Sequence, residues 1–251
     1  VLITGSADGL GLLAARRLIA QGHRVVLHAR SPARAQEAMC AAPGAEAALV
    51  ADLSRLEEVR QLAEAANASG LFDAVIHNAG VYRAPGQEVL TVNTLAPYVL
   101  TCRVRARRLV YVSSRMHRSA HPDLHRLASG AASYAESKFY LVLLAKAVAR
   151  RWPEVYANAV DPGWVPTKMG GPGAPDDLEE GVRTQVWLAT SCDPQARVSG
   201  RYFYHMREAP YHPRADDVAL QDAFLAACAR LTGVSFPEPE RRGAGAPPRL
   251  G

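Results

Sequence analysis

The feature that most restricts the fold is a regular alternation, from Val1 to about residue 160, of short Val-, Ile- and Leu-rich runs with longer helix-period patterns. Runs of that kind suit strands buried on both faces, and the intervening helices suit crossovers between parallel strands. The pattern predicts strands at 1–4, 24–29, 47–50, 74–77, 109–113, 155–160 and 201–204. Helices are expected at 10–20, 33–41, 54–68, 89–102, 133–150, 178–190 and 215–231. Punctuation supports the division: Ser31-Pro32 and Asp52-Leu53-Ser54 read as helix starts, and Gly22 and Gly70 as stops. The expected architecture is one α/β domain over 1–233, a doubly wound, mostly parallel sheet of seven strands. Gly170-Gly171-Pro172-Gly173-Ala174-Pro175 reads as a mobile loop over a site rather than a domain boundary. From 234 the composition turns to Pro, Gly, Arg and Glu, which predicts an unstructured tail over 234–251.

Composition excludes several function classes. At 251 residues with 49% hydrophobic and 21% charged residues, the chain has an ordinary globular make-up and needs no disulfide framework. Cys40, Cys102, Cys192 and Cys228 form no CxxC pair and read as free thiols. No apolar run approaches the roughly 18 residues of a spanning helix, and no basic leader precedes the first strand, so no membrane partner and a cytoplasmic address are expected. The net charge of +5 raises the question of nucleic acid. Only Lys138, Lys146 and Lys168 are lysines and the arginines are scattered, so no nucleic-acid partner is expected.

Thr4-Gly5-Ser6-Ala7-Asp8-Gly9-Leu10-Gly11 follows the first strand and opens the first helix. Glycines in that context let the backbone turn tightly and approach a pyrophosphate, while the helix start offers unpaired N–H groups to the anion. A dinucleotide site is implied. The second strand ends in His28-Ala29-Arg30-Ser31-Pro32-Ala33-Arg34 with no carboxylate for ribose hydroxyls. The guanidinium groups of Arg30 and Arg34 suit a 2′-phosphate, so NADP(H) is the preferred cofactor, with NAD(H) possible. Asp8, a carboxylate inside the turn, works against that preference.

Tyr134 and Lys138, four apart at the start of a helical pattern, project from one face. A neighbouring ammonium, with a positive nicotinamide, is expected to lower the phenol's pKa and make it a proton carrier. With the glycine turn, Asp52-Leu53, Asn78-Ala79-Gly80, Asn93, Ser114 and Pro162-Gly163-Trp164-Val165-Pro166-Thr167 in that order, residues 1–231 resemble the short-chain dehydrogenase/reductase family. The resemblance implies a Rossmann-type fold and an NADP(H)-dependent oxidoreductase interconverting a carbonyl and an alcohol on a fairly apolar small molecule. It implies Tyr134 as general acid/base and Lys138 as the group that lowers its pKa and holds the nicotinamide ribose. Ser114, in preference to Ser113, would bind the substrate oxygen, and Asn93 would support a water relay to Lys138. Gly5, Ser6, Asp8, Gly9, Leu10 and Gly11 would form the phosphate turn. Asp52 and Leu53 would meet the adenine, and Asn78, Ala79 and Gly80 would line the adenosine side. Pro162, Gly163, Val165 and Thr167 would form the carboxamide loop. The family also implies a homodimer or homotetramer through the helices holding Asn93 and Tyr134.

The 19 residues between Ser114 and Tyr134 exceed the usual family spacing and resemble the retinol-dehydrogenase-like and protochlorophyllide-reductase-like branch. His117, His121 and His125 in that stretch are spaced for one helix face, but Pro122 interrupts it, so no metal is expected and the three read as loop histidines near the substrate entrance. A catalytically silent dinucleotide sensor or scaffold of the same fold is the alternative, against which the retained Ser114, Tyr134 and Lys138 count.

Overall fold

The computed structural model describes residues 1–122 and 124–238. Its sheet has the order β3-β2-β1-β4-β5-β6-β7-β8, built from β1 (Leu2–Ile3), β2 (Val26–Ala29), β3 (Ala47–Val50), β4 (Phe72–His77), β5 (Ala106–Val112), β6 (Tyr156–Asp161), β7 (Tyr202–Tyr204) and β8 (Arg207–Glu208). The first seven strands run parallel, as their apolar runs predict, and β8 adds an antiparallel edge. The expected seven-stranded sheet therefore has eight strands. The extra pair turns at His205 and Met206, both with positive φ, and a non-glycine turn of that kind leaves no sequence signal.

The order reverses between β1 and β4, so a crevice opens above the carboxyl ends of these strands. One face of the sheet carries α1 (Gly9–Ala20), α2 (Pro32–Ala41) and α8 (Leu178–Thr190), with Ile3, Leu18, Leu27, Ile76 and Val182 in its core. The other carries α3 (Leu56–Ala68), α5 (Ala96–Arg103), α7 (Tyr134–Arg151) and α9 (Val218–Thr232). None of the described helices is long and apolar enough to cross a membrane.

The single helix expected at 89–102 is three pieces: α4 (Gly86–Leu90), a π-helical turn at Thr91–Leu95, and α5. Pro97 explains the break. It has no N–H for the carbonyl of Asn93, four residues back, and its ring crowds that turn, so the helix widens until Ala96 N–H reaches Thr91 O. The stretch after Ser114 holds a 3-10 turn (Arg115–Ser119) and α6 (Leu124–Ala128).

Almost every side chain of α7 from Glu136 to Val148 is buried, because the sheet lies on one side and α9 on another, with Tyr140 stacked on Phe224 at 5.4 Å. Residues 92–102 are likewise buried. Most side chains of these two helices pack within their own chain. Residues 234–238 correct the expected tail: Val234 O accepts from Tyr98 Oη at 2.8 Å, Phe236 stacks on Trp152 at 4.4 Å, and Pro237 O accepts from the Trp152 indole at 3.1 Å. Pro-rich composition concealed a strap whose single aromatic ring fills an apolar gap. The remainder of the expected tail, 239–251, lies outside the described residues.

Candidate active site

One cavity of about 990 Å³ occupies the crevice above the strand ends. It is lined by Gly5, Asp8, Gly9, Leu10, Arg30, Arg34, Asp52, Leu53, Asn78, Ala79, Gly80, Ser114, Tyr134, Lys138, Pro162, Gly163, Val165 and Thr167. Residues far apart in sequence are brought together there. Ser6, Gly11 and Asn93 do not line it. Ser6 is buried, with its hydroxyl on Ile3 O at 3.0 Å, and a Cβ on Gly11 would collide with Gly5 O. These two shape the turn from beneath.

The turn is fastened from both sides. Gly5 and Gly9 take positive φ of 63° and 53°, where a side chain is strained, and a Cβ on Gly5 would stand 2.8 Å from Ala79 Cα. Asn78 Nδ2 donates to Thr4 O and Gly5 O at 3.0 and 3.1 Å, while Thr4 Oγ1 accepts from the N–H groups of Asn78 and Ala79. His28 is a residue that sequence reasoning passed over. Its Nδ1 accepts from Gly5 N–H at 2.9 Å and its Nε2 donates to Ala51 O at 3.0 Å. Burial pushes its pKa down to about 4, so the ring stays neutral and keeps the acceptor that the turn requires. A histidine ending a buried strand beside a glycine turn was the available signal.

Arg34 is committed elsewhere: it donates to Asp8 Oδ2 at 2.7 Å and to Glu37. Lys168 reaches the same Asp8 oxygen at 2.8 Å across the cavity. Asp8, expected only to disfavour a phosphate, thus ties together a turn, a helix start and a loop. Arg30 is exposed at the cavity wall.

Tyr134 starts α7 because Ser133 and Glu136 form a reciprocal cap: Ser133 Oγ accepts from Glu136 N–H at 3.2 Å, and Glu136 Oε2 accepts from Ser133 N–H at 2.7 Å. That Ser-x-x-Glu spacing is a helix-start signal legible in the sequence. The next turn carries Lys138, whose Nζ lies 5.5 Å from the Tyr134 ring centre and donates to Val112 O at 2.8 Å. A Cβ on Gly80 would stand 3.3 Å from Lys138 Nζ and 3.4 Å from Asn93 Oδ1, so glycine keeps the gap between them open. The Asn93 side chain is spent on the backbone: Oδ1 accepts from Val81 N–H at 2.8 Å, and Nδ2 donates to Val81 O and Ser137 Oγ. The two serines part company here. Both reach the cavity wall, but Ser113 is buried and spends its hydroxyl on Lys138 O at 2.8 Å, whereas Ser114 stands hydrogen-bonded to Tyr134.

Burial, with the Asp161 carboxylate adding to it, pushes Tyr134 up to about 12, and a hydrogen bond with Ser114 acts the other way. Burial pushes Lys138 down to about 8 despite nearby Asp161. In the protein alone desolvation raises the phenol, and the expected lowering, which requires the positive nicotinamide as well, belongs to the loaded enzyme. Asp161 and Arg115, both missed in the sequence, pair at 3.2 Å, and Asp161 Oδ1 accepts from Gly163 N–H at 2.9 Å. The His-rich stretch departs from expectation. His117 is buried as a structural link, its Nδ1 on Ser114 O at 2.7 Å and its Nε2 accepting from His212 N–H at 3.1 Å.

Comparison with known proteins decides the family. The family model for short chain dehydrogenases matches residues 1–177. The chain belongs to the short-chain dehydrogenase family. It is an NAD(P)-dependent oxidoreductase. The enzyme is 41% identical to the Penicillium rubens short-chain dehydrogenase chyC, over 94% of this chain and 98% of that protein. It is 32% identical to mouse retinol dehydrogenase 14, over 88% and 81% of the two chains, which agrees with the branch suggested by the long stretch before Tyr134. The solved structure of a Mycobacterium paratuberculosis protein superposes on the enzyme with a TM-score of 0.77 at 25% identity, covering 94% of each chain. The glycine turn fits the family's dinucleotide: it has no Cβ to obstruct a close approach, and the start of α1 lies beneath it.

Proposed function

We propose that the enzyme reduces a carbonyl on a neutral, fairly apolar small molecule, with NADP(H) as the preferred cofactor and Tyr134 as the proton donor. The observation that carries this reading is a phenol, Tyr134, standing beside Ser114 at the head of the crevice with Lys138 Nζ 5.5 Å from its ring centre. A carbonyl that accepts hydride develops negative charge on oxygen, and two hydroxyl donors aimed at one point stabilise that charge. The dinucleotide supplies the hydride when bound.

Each residue then has a task. Ser114 orients the substrate oxygen, and Tyr134 donates to it. Lys138 holds the nicotinamide ribose and sustains a positive potential beneath the phenol. Asn93 acts one step back, fixing Val81 and the loop after β4, with Gly80 leaving the gap through which a proton returns toward Lys138. Gly5, Gly9 and Leu10 receive the pyrophosphate; Asp52 and Leu53 face the adenine; Asn78, Ala79 and Gly80 flank the adenosine; Pro162, Gly163, Val165 and Thr167 meet the carboxamide. Arg30 and Arg34 receive the 2′-phosphate, Arg34 by exchanging its Asp8 partner for the new anion.

The test is a panel of ketones, aldehydes and alcohols followed at the reduced-nicotinamide absorbance with NADPH and with NADH. Carbonyl-dependent oxidation of NADPH supports the reading. Cofactor binding without turnover of any carbonyl or alcohol contradicts it.

A further inference from the structure

Among the described residues, seven large apolar side chains are left exposed, and four of them ring this one cavity: Tyr82 (42% exposed), Met116 (40%), Trp164 (58%) and Met169 (45%). They come from three separate loops, after β4, β5 and β6. Exposed apolar residues scattered singly need no explanation, but convergence on one concave mouth does. We infer that the substrate is a neutral aryl ketone or aldehyde, its ring gripped by these four side chains while its carbonyl meets Tyr134 and Ser114. This inference rests on the proposed carbonyl reduction and narrows its substrate class.

The kind of side chain points to an aromatic partner. All four are rings or thioethers, the groups that gain most from a flat π-system beyond the area they cover. They also crowd the reacting atom. The Tyr82 ring stands edge-on to Tyr134, with centres 4.7 Å apart, and Met169 Sδ lies 4.0 Å from Tyr134 Oη. An apolar group attached directly to the carbonyl carbon would fall among them.

The grip is preformed. The loop holding Trp164 and Met169 is stitched at its neck: Trp164 N–H donates to Asp176 Oδ2 at 2.6 Å and Asp176 N–H donates to Trp164 O at 3.0 Å. The indole is then fixed by its own N–H on Gly170 O at 2.8 Å, leaving its face for a ligand. The segment expected to be mobile is therefore anchored where it meets the cavity. Beside the reacting groups, Arg115 is already shared between Asp161 at 3.2 Å and Asp176 at 3.6 Å, so it is not free to recruit a substrate carboxylate. In the reaction the carbonyl carbon gains a C–H bond from the hydride, the oxygen gains the phenolic proton, the C=O π bond is lost, and the reduced dinucleotide is oxidised.

The experiment compares an aryl methyl ketone, an alkyl methyl ketone of similar size and an α-keto acid, using wild type, Trp164→Ala and Trp164→Phe with NADPH. A parallel titration follows quenching of tryptophan fluorescence by the aryl ketone. The expected result is kcat/KM at least ten-fold higher for the aryl ketone than for the other two. Trp164→Ala should lower aryl kcat/KM about ten-fold more than alkyl kcat/KM, chiefly through KM, and Trp164→Phe should restore most of the loss. A preference for the alkyl ketone or the keto acid overturns the inference, as does an equal loss on both ketones or a matching loss of NADPH affinity in Trp164→Ala. Saturable quenching that Trp164→Phe removes, without turnover of any carbonyl, refutes the proposed reduction and leaves the aromatic site standing. Neither quenching nor turnover refutes both.

Discussion

Replacing Lys138 with Met should stabilise the enzyme while disabling it. The amine is fully buried at the crevice floor, and its pKa falls from 10.5 to about 8 because burial disfavours the charged form. That drop corresponds to roughly 3 kcal/mol by which the buried charge weakens folding at pH 7. The unfolded amine keeps its proton up to 10.5 and the folded one releases it near 8. Between those values the unfolded state binds more protons, so wild-type stability gains from this group as pH rises through the window, and below about pH 8 the full cost applies. Met has similar length and no charge, and it gives up the 2.8 Å bond to Val112 O, worth about 1 kcal/mol. The net expectation at pH 7 is a gain of about 2 kcal/mol, or roughly 4–8 °C in Tm for a chain of this size. Thermal unfolding followed by circular dichroism at pH 7 and pH 10 checks it, with the gap between variant and wild type shrinking almost to nothing at pH 10. A variant less stable than wild type at pH 7, or a gap that ignores pH, would refute the reasoning that Lys138 is held charged at the expense of stability. Carbonyl turnover of the same variant should fall by about 10²-fold or more.

Other consequences are as direct. The kcat/KM for carbonyl reduction should decline above about pH 8, as Lys138 loses its proton, and a profile level to pH 9.5 contradicts that role. Arg30→Ala combined with Arg34→Ala should weaken NADPH at least ten-fold more than NADH in fluorescence titrations, from the loss of charge-assisted bonds to phosphate. Asp8→Asn should shift the balance the other way, by releasing Arg34 and Lys168; equal effects on both cofactors would remove these residues from phosphate selection. Phe236→Ala should cost about 1–3 kcal/mol in denaturant titrations, since it empties the stack on Trp152, and a neutral result would show the strap to be dispensable.

The parallel strands were legible because burial on both faces forces continuous apolar runs, and that single periodicity implies the sheet, the crossovers and the crevice at the strand ends. The glycine turn, Tyr134, Lys138 and Ser114 were legible because the chemistry needs those residue types at short spacing. What remained hidden depends on contacts across long sequence distances. His28 meets Gly5, Asp161 meets Arg115, and Lys168 meets Asp8 only after β1, β2, β5 and β6 are aligned. The break at Asn93 is encoded by Pro97 and the start of α7 by Ser133 and Glu136, single-residue signals that apolar periodicity does not carry. The strap at 234–238 was obscured for the opposite reason: its composition looks disordered, and only the folded contacts with the buried Trp152 and Tyr98 rings reveal what Phe236 covers.

The central claim is that the Tyr134 phenol delivers the proton in hydride transfer at the strand tips. Single-turnover oxidation of bound NADPH by a reactive ketone, in wild type and Tyr134→Phe, tests it most directly. The account predicts unchanged NADPH affinity with hydride transfer slowed by about 10²-fold or more. Hydride transfer at the wild-type rate in the phenylalanine variant would contradict it.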